Sequence, residues 1–153
     1  MTIFDELEKQ YFEIDNDYSF IEFDAISKGW NKKAQKYARK RELNDQAYFL
    51  FMFTRLEDRV RQESAKKIVK KKASTISWKN KAAWDILPSN ASAEMNFKNR
   101  LALLTPKGQS DFNIVADYYK ERNAIGHGGT FTSPINMPHV ISEYKRLYRT
   151  LKA

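Results

Sequence analysis

Apolar residues in this chain return at three- and four-residue steps almost from end to end, and nowhere alternate over a length that would make a strand. That spacing restricts the chain to helices. Ile3, Phe4, Leu7, Tyr11 and Ile14 share one face of a helix opened by Thr2. Ser19 followed by Glu22 has the form of a capping box. Phe20, Phe23, Ile26, Trp30, Ala34 and Tyr37 then give a second helix its apolar face, with Gly29 a point of bending. Asn44 is placed to cap a third, long helix with Phe49, Met52, Phe53, Leu56 and Val60 inward. Shorter helices are expected from Ser77 to Leu87, stopped by Pro88, and from Ser92 to Leu104, ahead of a Pro106-Lys107-Gly108 turn. Ser110 caps a helix that turns Phe112, Val115, Ala116 and Tyr119 inward. Pro138 opens a last one bearing Val140, Ile141, Tyr144, Leu147, Tyr148 and Leu151. No repeat or low-complexity linker divides the chain, so the expectation is an all-α helical bundle of about five to six helices, a single domain over residues 1–153.

A hydrophobic content of 42% with 14% aromatic residues is enough for a sizeable core in 153 residues. The chain has no Cys and only two His, which excludes a disulfide framework, thiol nucleophiles and Cys-based metal sites, and leaves little room for zinc. No cofactor is expected. The longest apolar run, Ala47 to Phe53, is far short of the roughly 20 residues that cross a bilayer. The acidic, helical start is unlike a signal peptide, so a soluble, cytoplasmic protein without a membrane partner is expected.

The net charge of +8 is unevenly spread: residues 1–24 carry −7, residues 25–81 carry +12, and the remainder +3. The densest basic stretch is Lys66, Lys67, Lys70, Lys71 and Lys72, in line with Arg55, Arg59 and Arg61, and preceded by Lys32, Lys33, Lys36, Arg39, Lys40 and Arg41. Such stripes follow a polyanion backbone by releasing its counterions, and their bland alternative is a solvated helix face. Two successive runs point toward RNA, with Lys66, Lys67, Lys70, Lys71 and Lys72 as the binding residues.

The most distinctive local feature is the run Tyr118 to Gly129, in which three of the five glycines (126, 128 and 129) flank His127. No strand precedes and no Lys-Ser or Lys-Thr follows, so it is not a phosphate-binding P-loop. The glycines are expected to end the helix near His127 and leave the imidazole reachable. Asn123 and His127 share a face at i and i+4, whereas Arg122 lies about 140° round at i+5. A second copy, antiparallel across a two-fold axis, brings both pairs into one cleft.

Arg-x4-His, with Asn directly after the Arg and small residues around the His near a helix end in a basic all-α chain, resembles the HEPN superfamily through Arg122, Asn123 and His127. The resemblance implies a HEPN-like bundle and metal-independent endoribonuclease activity from a composite site in a homodimer. It also implies a toxin–antitoxin or phage-defence setting, with an antitoxin or defence-complex protein as partner. Other members are catalytically inactive RNA-binding or protein-interaction modules, which is the alternative here. One subgroup, silenced by nucleotidyl transfer to a tyrosine two residues after the His, has its counterpart position filled by Gly129. In RNA cleavage to 2′,3′-cyclic phosphate and 5′-hydroxyl ends, His127 serves as acid and base, Arg122 holds the phosphate, and Asn123 orients the imidazole or the ribose. His139 is expected to be structural, Trp78, Tyr118 and Tyr119 to lie in the core, and Asp117 and Glu121 to form a solvated face. Asn90-Ala91-Ser92 is expected to be a capping turn.

Overall fold

Thr2 opens helix α1 (Ile3–Ser27) through a reciprocal cap: Asp5 N–H donates to the Thr2 hydroxyl oxygen, and the Asp5 carboxylate accepts from Thr2 N–H at 2.7 Å. The helix does not restart at Ser19. Asp15 and Glu22, two turns apart on one face, both bind Arg41 of α2 (Asn31–Lys72), at 2.9 and 3.0 Å, and hold the backbone helical straight through the capping-box sequence. The true break is Gly29, whose φ of +69° is a left-handed turn open to glycine. Asn44 likewise caps nothing: it is buried inside the 42 residues of α2. The expected first three helices are therefore two, paired as an antiparallel hairpin. Along it the Tyr11 hydroxyl donates to Asp45 at 2.8 Å, and the Tyr18 and Tyr37 rings meet edge-on.

The computed structural model describes residues 2–74, 77–88 and 90–153, and among these the remaining helices are α3 (Trp78–Asp85), α4 (Ala91–Glu94), α5 (Phe97–Leu104), α6 (Ser110–Gly126) and α7 (Met137–Thr150). There is no strand among the described residues. Ser77 precedes α3 without making a cap bond. Ser92 is no cap either: it is buried in α4, its hydroxyl 2.7 Å from that of Ser64, and the cap of α5 is Asn96, which accepts from Asn99 N–H. Pro138 sits in the first turn of α7 as expected, and Asn136 caps it through His139 N–H at 3.1 Å. Among the described residues, no helix is long and apolar enough to cross a membrane.

The helices group into two compact units, Met1–Phe53 with Glu121–Lys145 and Thr54–Lys120 with Arg146–Ala153. In the first, Phe49 is enclosed by Phe53, Tyr144 and Phe131, with ring centroids 6.4, 5.7 and 5.3 Å away. In the second, Leu56, Val60, Leu101, Val115 and Leu147 are fully buried, and the buried Glu63 carboxylate is held by Arg59, Lys66 and the Ala153 N–H.

Lys145 ties α7 to the start of α1 through Asp5, at 2.8 Å, and through Glu8. The Lys145 hydrogen bond, reinforced by the N–H and hydroxyl of Thr2, holds the Asp5 carboxyl well below the ordinary carboxylate range. A folded-state depression of this kind contributes stability above the unfolded pKa of about 3.9 and loses it as pH falls toward the folded value. Asp5→Asn is accordingly expected to lower the urea midpoint at pH 7 and to lower it progressively less below about pH 4. An equal loss at every pH assigns the effect to packing instead.

Candidate functional site

The end of α6 is built by backbone geometry. His127 N–H still closes an α-helical bond to the Asn123 carbonyl at 3.1 Å, after which Gly128 N–H turns back to Ile125 O at 2.9 Å and Gly129 N–H to Ala124 O at 3.0 Å. This pair of bonds is a Schellman terminator with Gly128 at the left-handed position, φ +84°. Gly129 is needed for a different reason, since a Cβ there lies 2.8 Å from the Ala124 carbonyl oxygen. Gly126 is required by neither: it is helical and faces open space. His127 thus occupies the last position before the turn and is exposed, as the glycine pattern predicts.

Arg122 and Asn123, half-buried one turn earlier, are joined by a bond from Arg122 Nη1 to Asn123 Oδ1 at 3.1 Å. Asn123 therefore steadies the guanidinium of its neighbour.

Behind these residues lies a group that sequence reasoning misplaced. Glu121 is buried rather than solvated, and its carboxylate clamps the returning chain, accepting from Thr132 N–H at 2.7 Å and from the Thr132 hydroxyl. The same loop is pinned by the Phe131 ring set edge-on against Phe49. The turn bearing His127 is thus anchored on its C-terminal side by a charge-assisted hydrogen-bonded pair and an aromatic contact. The available signal was spacing: Glu121 precedes buried Ile125 by one turn and shares its face.

The remaining candidates divide. Tyr119 stacks on Phe97 at 4.5 Å, in keeping with a packing role, but Trp78 is 85% exposed and is not a core residue. His139 is exposed at the start of α7, and Asn90 caps nothing with its side chain although Asn90-Ala91-Ser92 does open α4. The lysine cluster belongs to the second unit, whereas Arg122, Asn123 and His127 belong to the first. Within the cluster, Lys66 is engaged by Glu63 at 2.8 Å and Lys72 donates to the Leu87 carbonyl. Lys67, Lys70 and Lys71 follow one another at i, i+3 and i+4 on one face of α2. No protein-family model, curated protein or solved structure matches the chain.

The three glycines give distinct expected outcomes. Gly128→Ala and Gly129→Ala are each expected to cost about 1–2 kcal/mol, the first by left-handed strain and the second by displacing the Ala124 carbonyl. Gly126→Ala is expected to gain about 0.5–1 kcal/mol, because alanine is the better helix former in open space. Urea unfolding of the three single variants reads this directly. Three equal effects contradict the terminator geometry.

Proposed function

We propose that this chain is a metal-independent endoribonuclease of HEPN type, working as a homodimer in a toxin–antitoxin or phage-defence setting. The observation that carries this is the exposed imidazole of His127 at a glycine-built helix end, with a guanidinium five residues earlier on the same helix that is steadied by its neighbouring amide. A titratable group reachable by a large polyanion and a permanent cation, brought together here by a second copy, are what phosphodiester cleavage asks of a protein.

In that reaction an imidazole removes the proton of the ribose 2′-hydroxyl, and the 2′-oxygen attacks phosphorus. The bond to the 5′-oxygen breaks, and a protonated imidazole supplies the hydrogen that this oxygen takes up. Arg122 meets the charge that accumulates on the non-bridging oxygens, and Asn123 limits the directions the guanidinium adopts. Two imidazoles in opposite protonation states are called for. Each chain offers His127 alone at this position, which is why a second copy belongs to the reading. The lysine row at Lys67, Lys70 and Lys71 supports it further as a track for an RNA backbone.

The experiment is RNA cleavage in excess EDTA with analysis of the ends. The expected products carry 2′,3′-cyclic phosphate and 5′-hydroxyl ends, the latter accepting phosphate from a polynucleotide kinase. RNA binding without cleavage by the folded protein favours the catalytically inactive module instead. Gly126→Ala adds a second readout: a variant that is more stable yet less active places the substrate over the bare end of α6.

A further inference from the structure

Helical spacing assigns Trp78 to the core, whereas the structure leaves it 85% exposed at the start of α3. Ile86, about two turns further on, is 81% exposed, and Trp78, Lys81, Ala82, Asp85 and Ile86 line an open groove of about 390 Å³. A single exposed aromatic needs no explanation by itself. What surrounds this one supplies it. From Ser64 to Trp84 the chain has seven lysines and no acidic residue. Five of them close α2, and the other two, Lys79 and Lys81, stand on α3. Lys72 joins the end of α2 to the end of α3 by donating to the Leu87 carbonyl, and both segments belong to the same compact unit. The indole is therefore part of the same body as the lysine row.

The mixed lining of the groove decides what it takes. A helix that lies on a lipid surface needs a continuous apolar face, and a helix that docks in a protein groove presents an apolar ridge. Here Lys81 and Asp85 share the groove with Trp78 and Ile86. A flat indole with cations beside it matches a polymer that combines planar apolar rings with regularly spaced negative charge, which is a single-stranded nucleic acid.

We propose that Trp78 is a stacking platform for an unpaired base of RNA, with Lys79 and Lys81 meeting the adjoining phosphates. This rests on the reading of the lysine row as an RNA track, and it adds what that row cannot supply. Lysines attract the backbone of any polyanion, single- or double-stranded. In duplex RNA the bases are paired and stacked on one another, so none turns a face to the indole. Trp78 thus selects unpaired RNA.

Binding is measured with a 2′-O-methyl oligonucleotide of about 12 residues, used single-stranded or annealed to its complement. It lacks the 2′-hydroxyl on which cleavage depends, so binding is read without turnover. Trp78→Ala is expected to weaken binding of the single strand by about 10-fold and of the duplex by less than about 2-fold. Stacking releases no counterions, so between about 50 and 200 mM salt the variant keeps the wild-type slope of log affinity against log salt. Lys79→Gln/Lys81→Gln is expected instead to flatten that slope, by about 0.7 for each lysine. The single strand is also expected to quench tryptophan emission, and Trp78→Phe, but not Trp30→Phe, to remove most of that quenching. Equal losses for single strand and duplex, a Trp78→Ala variant that binds the single strand as wild type does, or quenching that survives Trp78→Phe overturns the proposal and leaves the lysine track standing. If Trp78→Ala loses helix, the quenching result decides. Trp78 emission that responds to anionic vesicles or to protein concentration but not to RNA gives the groove to a membrane or to a second copy, and also overturns it. Binding of neither RNA form removes the RNA reading and this site with it, whereas binding without cleavage of ordinary RNA removes only the nuclease reading.

Discussion

His127→Ala is expected to slow RNA cleavage by about 10²- to 10⁴-fold, the usual worth of a positioned proton carrier, while leaving stability within about 0.5 kcal/mol of wild type. The two halves of that outcome have separate causes. The imidazole is exposed, and the turn that presents it is held by backbone bonds of Gly128 and Gly129 and by the Glu121–Thr132 clamp, none of which involves the His127 side chain. Arg122→Ala is expected to cost about 10²- to 10³-fold, by loss of charge stabilisation at phosphorus. Arg122→Lys is not expected to restore it, because an ammonium lacks the planar fork. Single-turnover rates in EDTA, set beside thermal melts, check all three. Mixing Arg122→Ala with His127→Ala chains is expected to recover activity where each cleft takes its cation and its imidazole from different subunits. Alanine variants that cut as fast as wild type remove these residues from the site.

Phe49→Ala is expected to destabilise the chain by about 3–5 kcal/mol, the upper range for truncating a buried aromatic. Its ring is fully buried and touches Phe53 and Tyr144 as well as Phe131 of the loop that follows His127. The cavity therefore opens in the core and beneath the site at once. Phe51→Ala, two residues along the same helix but 58% exposed, is the matched control, and a change within about 0.5 kcal/mol is expected there. Urea midpoints of the two variants measure the contrast. Similar losses at both positions mean that Phe51 is covered in solution.

The helical class, the last two helices and the location of His127 at a helix end were legible because periodicity, proline and paired glycines are local signals. What local signals miss is a partner distant in sequence. Ser19 with Glu22 and Asn44 have the chemistry of caps, yet Arg41 bridges Asp15 and Glu22 and the helices run through both positions. Glu121 looked solvated because Thr132, which consumes its carboxylate, comes 11 residues later around a turn. Phe20, Phe23 and Ile26 show a further limit: their spacing establishes that they share a face of α1 but not that the face is buried, and all three are exposed. Trp78 shows the same limit on α3, where helical spacing suggested burial and the side chain is exposed.

Neither compact unit is made from one continuous stretch, since the first joins Met1–Phe53 to Glu121–Lys145. During synthesis, Phe4, Phe49 and Phe53 must therefore wait for Tyr144 and its neighbours to leave the ribosome before they are sealed. A product of interrupted translation that stops short of Glu121 holds the lysine-rich half of α2 but lacks Arg122, Asn123 and His127 along with the lid on that core. Truncation thus leaves the apolar side chains of that core in water.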